Sequence, residues 1–156
     1  MFKRVLLMVF IMTSLLPTNV SATHTTNTKY PATTMFAILK YAGEYDLPVA
    51  LVTQVIDVES SFNPNAINRH GKYADEGLMQ LNNQFSNTYA SCIGIDDFDP
   101  FNVEHNIWVG CFHLSNIITT QKDYGYKGKE LYERALTVYN AGGNYLKKHG
   151  IRRQLS

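Results

Sequence analysis

The chain has few cysteines, no marked excess of positive charge and no long hydrophobic run, and each shortage removes a class of protein. Cysteine occurs twice in 156 residues, as Cys92 and Cys111. Two cysteines without a neighbouring histidine pair are too few for a structural zinc site. Lys and Arg number 14 against 13 acidic residues, a formal net charge of +1. Phosphate binding needs a clustered excess of Lys and Arg, so nucleic acid is excluded as the main partner. The apolar run Val5 to Leu16 is shorter than the roughly 20 residues that span a membrane. No internal repeat and no second folded module is visible. What remains is 45% hydrophobic and 17% charged, the composition of one globular domain.

Residues 1–22 read as a removable export signal. Lys3 and Arg4 form a positive start, Val5 to Leu16 the apolar stretch, and Val20-Ser21-Ala22 a small-residue cleavage site. An uncleaved anchor is the alternative. Without Lys3 and Arg4 the processed chain carries 12 basic and 13 acidic residues. It is expected to be periplasmic or extracellular, with no stable membrane insertion once processed. Residues 23–30 are polar and aperiodic, a flexible leader. The folded domain is expected over 31–150, followed by a basic tail at 151–156. In an exported chain the two cysteines default to one disulfide, Cys92 to Cys111. Closing that loop would stabilise by roughly 3 kcal/mol on the entropy model. Two buried free thiols are the alternative, because Cys111 lies on an apolar stripe.

Hydrophobic period places the helices. Pro31 opens one, with Met35, Phe36, Ile38, Leu39 and Ala42 apolar. Gly43 to Pro48 turns the chain into a second helix from Val49 to Ser60. There Val52, Val55, Ile56 and Glu59 share one face. His70-Gly71 can turn a small hairpin, the only β-structure expected. Leu78 to Ser86 reads as a short helix, followed by a loop through Cys92 to Pro100. Val103 to Ile118 has the strongest period, with Ile107, Cys111, Leu114 and Ile118 aligned. Gln121 to Lys129 is a surface connection, and Glu130 to Tyr139 the last helix. Fold class is therefore α+β and predominantly helical, with a small β-hairpin.

Glu59 stands out because a carboxylate occupies an apolar stripe. It either points into water from the last turn or serves as an acid. Desolvation favours the neutral carboxyl form, and a protonated carboxyl in a cleft can protonate a glycosidic oxygen. The surrounding residues decide between the two. Glu59-Ser60-Ser61-Phe62-Asn63-Pro64-Asn65-Ala66, then Gly77-Leu78-Met79-Gln80, then Tyr139-Asn140-Ala141-Gly142, resemble the three-part signature of the soluble lytic transglycosylases. Asp99 to Gly110 resembles that family's third helix entry. Each motif alone is weak, and four in order within about Val49 to Tyr145 are specific.

The resemblance implies a lysozyme-like domain that cleaves the glycan strand of peptidoglycan after muramic acid, without metal or cofactor. It implies Glu59 as the proton donor and Met79 and Gln80 as a cleft-lining pair. Tyr139 and Asn140 are expected to approach the acid and the saccharide. Ser60 is either a supporting hydroxyl or a helix-terminal residue. Gly77 is expected to leave room for a sugar, unless it is an ordinary turn glycine. Two departures matter. Asn68 stands where many of these enzymes have a serine that holds the N-acetyl group. The loop to Gly77 is also longer, and Asp75-Glu76-Gly77 is similar to the animal c-type lysozyme pattern. Asp75 thus matches the second carboxylate of a retaining glycosidase. A hydrolytic muramidase using Glu59 and Asp75, or a glycan-binding assembly subunit without chemistry, are the alternatives. The small transglycosylases of secretion and conjugation systems fit this layout best, with such an apparatus as a further partner.

Overall fold

The computed structural model describes residues 30–141. The expectations for 1–22, most of 23–30, and the segment from Gly142 through the basic tail lie outside the described residues. Within them the chain divides at Ser115/Asn116 into two compact units.

The first unit starts with α1, Ala32–Glu44, preceded by Pro31 at its N-cap. Thr34, Ala37, Ile38, Tyr41 and Ala42 form its buried stripe, at helical spacing. Pro48 opens α2, Val49–Ser60, whose buried residues are Leu51, Val52, Val55 and Ile56. Each fully buried aliphatic side chain contributes about 1.5–3 kcal/mol relative to exposure. Three strands follow: β1, Ile67–His70, β2, Tyr73–Glu76, and β3, Leu81–Asn82, antiparallel in the order β1-β2-β3. The Gly71-Lys72 loop between β1 and β2 carries positive φ on Gly71 alone (64°), the φ pattern of a type II′ turn. Then come α3, Ser86–Cys92, and the first part of α4, Val103–Asp123. Glu104, in the first turn of α4, accepts hydrogen bonds from Lys40 Nζ (2.8 Å) and Tyr41 Oη (2.7 Å), tying α1 to it. The Lys40 ammonium, then the Tyr41 hydroxyl, hold the Glu104 carboxyl below its ordinary range.

The second unit holds the end of α4 and α5, Gly128–Ala141. Leu131, Ala135 and Leu136 line the buried side of α5. Arg134 lies 3.8 Å over the Tyr126 ring and bonds Glu130 one turn back at 3.1 Å.

The architecture is the expected one: mostly helical, α+β and lysozyme-like, with a small antiparallel sheet. Three local expectations are corrected. Leu78 to Ser86 is not a helix but a turn leading into β3, because Gly77 and Gln80 take left-handed φ (75° and 47°). The helix comes later, at Ser86–Cys92, where a loop was expected. The long helix also runs on to Asp123, into the expected connection.

The expected disulfide is corrected as well: both cysteines are free, Cys92 exposed at the end of α3 and Cys111 buried on α4. Burial, with a small addition from the Glu44 carboxylate, pushes the Cys111 thiol up to about 12. The thiolate is the reactive form, so Cys111 should be inert at pH 8. One equivalent of iodoacetamide is expected to label the native protein at Cys92, and two the denatured protein. An intact mass two hydrogens short would overturn the free-thiol assignment.

Candidate active site

Glu59 sits in the last turn of α2, half-buried, one turn beyond the fully buried Val55 and Ile56. The helix ends abruptly after it. Ser61 and Phe62 both take left-handed φ (51° and 63°), a conformation that costs non-glycine residues about 1 kcal/mol or more each. The Ser61 amide donates to Asp57 O at 3.0 Å and closes the last turn. Asn63 N–H returns to Ser60 O at 3.1 Å, and Asn63 Oδ1 accepts from Asn65 N–H at 3.0 Å around Pro64. Ser60 proves to be helix-terminal: its hydroxyl donates back to Ile56 O at 3.1 Å. Of the two expectations for Ser60, this geometry favours the helix-terminal one.

The first two motifs are hydrogen-bonded to each other. Ala66 N–H donates to Asn63 O at 3.2 Å, and Ala66 O accepts from Gly77 N–H at 2.9 Å. The Gln80 amide also donates to Ala66 O (3.1 Å) and to Gly77 O (2.9 Å). Both Nε2 protons of Gln80 are thereby committed, so only its carbonyl oxygen can serve a ligand. This narrows what a cleft-lining Gln80 could offer to an acceptor. Met79 is corrected outright. Its side chain is 0% exposed and packs on Gly110 of α4, where any Cβ would collide with the Met79 sulfur. It is core rather than cleft lining.

Gly77 is explained by its own protein and not by a sugar. At φ 75° it lies buried, and a Cβ there would overlap Pro100 O and the Asn106 side-chain amide. Gly77→Ala is expected to lower stability by about 2–5 kcal/mol, combining left-handed strain with overpacking. The midpoint of urea unfolding checks this, and an unshifted midpoint would contradict the packing. Asn106, only 1% exposed, is the junction here. Its Oδ1 accepts from Met79 N–H at 2.8 Å, and its Nδ2 donates to Glu76 O (3.0 Å) and Pro100 O (2.8 Å). It was missed in the sequence, although it too is a polar residue beside the apolar stripe of its helix.

Asp75 and Asn68 come together on the sheet. In register, Asn68 faces Asp75, and Asp75 faces Asn82, so the three share one side. Asp75 is half-buried and Asn68 exposed. The Asp75 carboxylate is held at both oxygens, Oδ1 by Asn82 Nδ2 at 2.8 Å and Oδ2 by His70 Nε2 at 2.9 Å. Asn82 was not singled out in the sequence and His70 only as part of the hairpin turn, because only strand register makes them neighbours of Asp75. Tyr139 and Asn140 are half-buried in the last turn of α5, in the second unit. Among the described residues no group of three or more His, Cys, Asp or Glu side chains could hold a metal ion, and no helix is long and apolar enough to cross a membrane.

Residues 36–154 match the family described as the transglycosylase SLT domain, and the chain belongs to that family. Membership supports a lytic-transglycosylase-type activity on peptidoglycan. No significant match to a curated protein or to a solved structure was found.

Proposed function

We propose that the protein is an exported lytic transglycosylase that cleaves the β-1,4 bond between N-acetylmuramic acid and N-acetylglucosamine. Glu59 acts first as the acid. It protonates the leaving oxygen as positive charge develops at the anomeric carbon. The substrate's own N-acetyl oxygen stabilises that carbon. The muramic 6-hydroxyl then attacks, returning its proton to Glu59 and leaving a 1,6-anhydro ring with no water consumed. Asn68 and the Gln80 carbonyl oxygen offer polar contacts to the strand, with Tyr139 and Asn140 as further saccharide contacts. We also propose that local wall opening of this kind serves a secretion or conjugation apparatus.

The observation that carries this reading is the family match across all four motifs, with the Glu59 turn and the Gly77–Gln80 segment joined through Ala66. On this reading Asp75 has a supporting place on the sheet, where Asn82 Nδ2 donates to its Oδ1 and His70 Nε2 lies 2.9 Å from its Oδ2. Digestion of purified sacculi with the purified protein, with the products resolved by mass, is the test.

A further inference from the structure

We infer that Tyr30 is a positioning residue for the Glu59 turn, supplied from outside the family domain. It precedes the matched residues 36–154, and the sequence places it at the end of the leader. In the structure its ring stacks on Phe62, with centroids 4.0 Å apart and planes at 24°. Phe62 is the second of the two left-handed residues that end the Glu59 helix. Such a conformation persists only where surroundings over-determine it. The Tyr30 ring is one such constraint, since a Phe62 relaxing to negative φ would leave the stack.

Tyr30 adjoins the start of α1. It is followed by Pro31, which restricts the backbone before it, and Pro31 O accepts the Met35 N–H (3.1 Å) that starts α1. The strut therefore runs from α1 through Pro31 and Tyr30 to Phe62. Across the turn, the Ser61 and Asn63 amides close the last helical turn on Asp57 O and Ser60 O. Glu59 lies inside that closed turn. Tyr30 acts on Glu59 through the backbone and touches no reacting atom.

The inference rests on Glu59 being the acid, and its test separates the two. In the full-length processed protein, Tyr30→Ala is expected to raise hydrogen exchange at the Ser61 and Asn63 amides about tenfold, with α5 unchanged. It should lower kcat on soluble glycan strands about tenfold while KM stays within about twofold. Tyr30→Phe keeps the ring and should restore both readouts. Unchanged exchange at Ser61 and Asn63 overturns the proposal, as does a Phe variant as impaired as the Ala variant. So does a kcat that returns to wild type when Tyr30→Ala is assayed well below its melting temperature, which would reduce Tyr30 to a stability role. A wild-type protein inactive on glycan strands would sink the functional reading alone, and the exchange measurement would still decide Tyr30.

Discussion

Glu59→Gln is expected to abolish clearing of peptidoglycan while leaving binding to sacculi intact. The substitution keeps shape and hydrogen-bonding capacity and removes only the transferable proton. General acid–base catalysis supplies a factor of about 10² to 10⁴. On the proposed mechanism the same group serves first as acid and then as base, so the loss should fall at the upper end. The structure makes the test clean, because Glu59 is half-buried at a helix end and not fully in the core. A glutamine there need not disturb Val52, Val55 or Ile56. Turbidity clearing measures the rate, and co-sedimentation with sacculi measures binding. Wild-type clearing by the Gln variant would remove Glu59 from catalysis and revive the assembly-subunit alternative.

The second large effect is in the product. Muropeptides released by the wild-type protein are expected to end in 1,6-anhydro-muramic acid, one water lighter than the hydrolysed form. Asp75→Asn should release the same product. Asn82 Nδ2 donates to one carboxylate oxygen, and His70 Nε2 lies 2.9 Å from the other. An asparagine would satisfy one of these neighbours and oppose the other, losing about one hydrogen bond, or 0.5–1.5 kcal/mol. The rate should therefore fall by no more than about tenfold. Reducing-end muramic acid as the sole product, with Asp75→Asn as damaging as Glu59→Gln, would make the protein a hydrolase.

Glu59 was legible because helical period assigns each residue to a face, and a carboxylate on the wrong face is conspicuous. The same logic was available for Asn106 and was missed, although it lies within the Asp99–Gly110 motif. Gly77 was legible as a glycine that had to be one, but for the wrong neighbour. Its crowding partners, Pro100 and Asn106, lie more than twenty residues away. Met79 and Gln80 were read as a pair facing a sugar. In the fold they diverge, the sulfur packing on Gly110 and the amide holding Ala66 and Gly77.

Export context favoured a disulfide, but only the fold could show Cys92 in solvent and Cys111 in the core. β3 was likewise hidden, because two residues carry no period. Tyr30 looked like leader, since stacking on a residue thirty-two positions away leaves no trace in local composition.

By itself the sequence determined the fold class, the α1, α2, α4 and α5 helices, the hairpin turn and the prominence of Glu59. All of these follow from local period, turn chemistry and motif order, which act within a few residues along the chain. Tertiary structure alone decided which polar groups remain for a ligand. Ser60 and Gln80 direct their donor protons to backbone oxygens, and Asp75 accepts from Asn82 and lies beside His70. A polar group removed from water must find a partner, and that partner is set by three-dimensional proximity rather than by spacing in sequence.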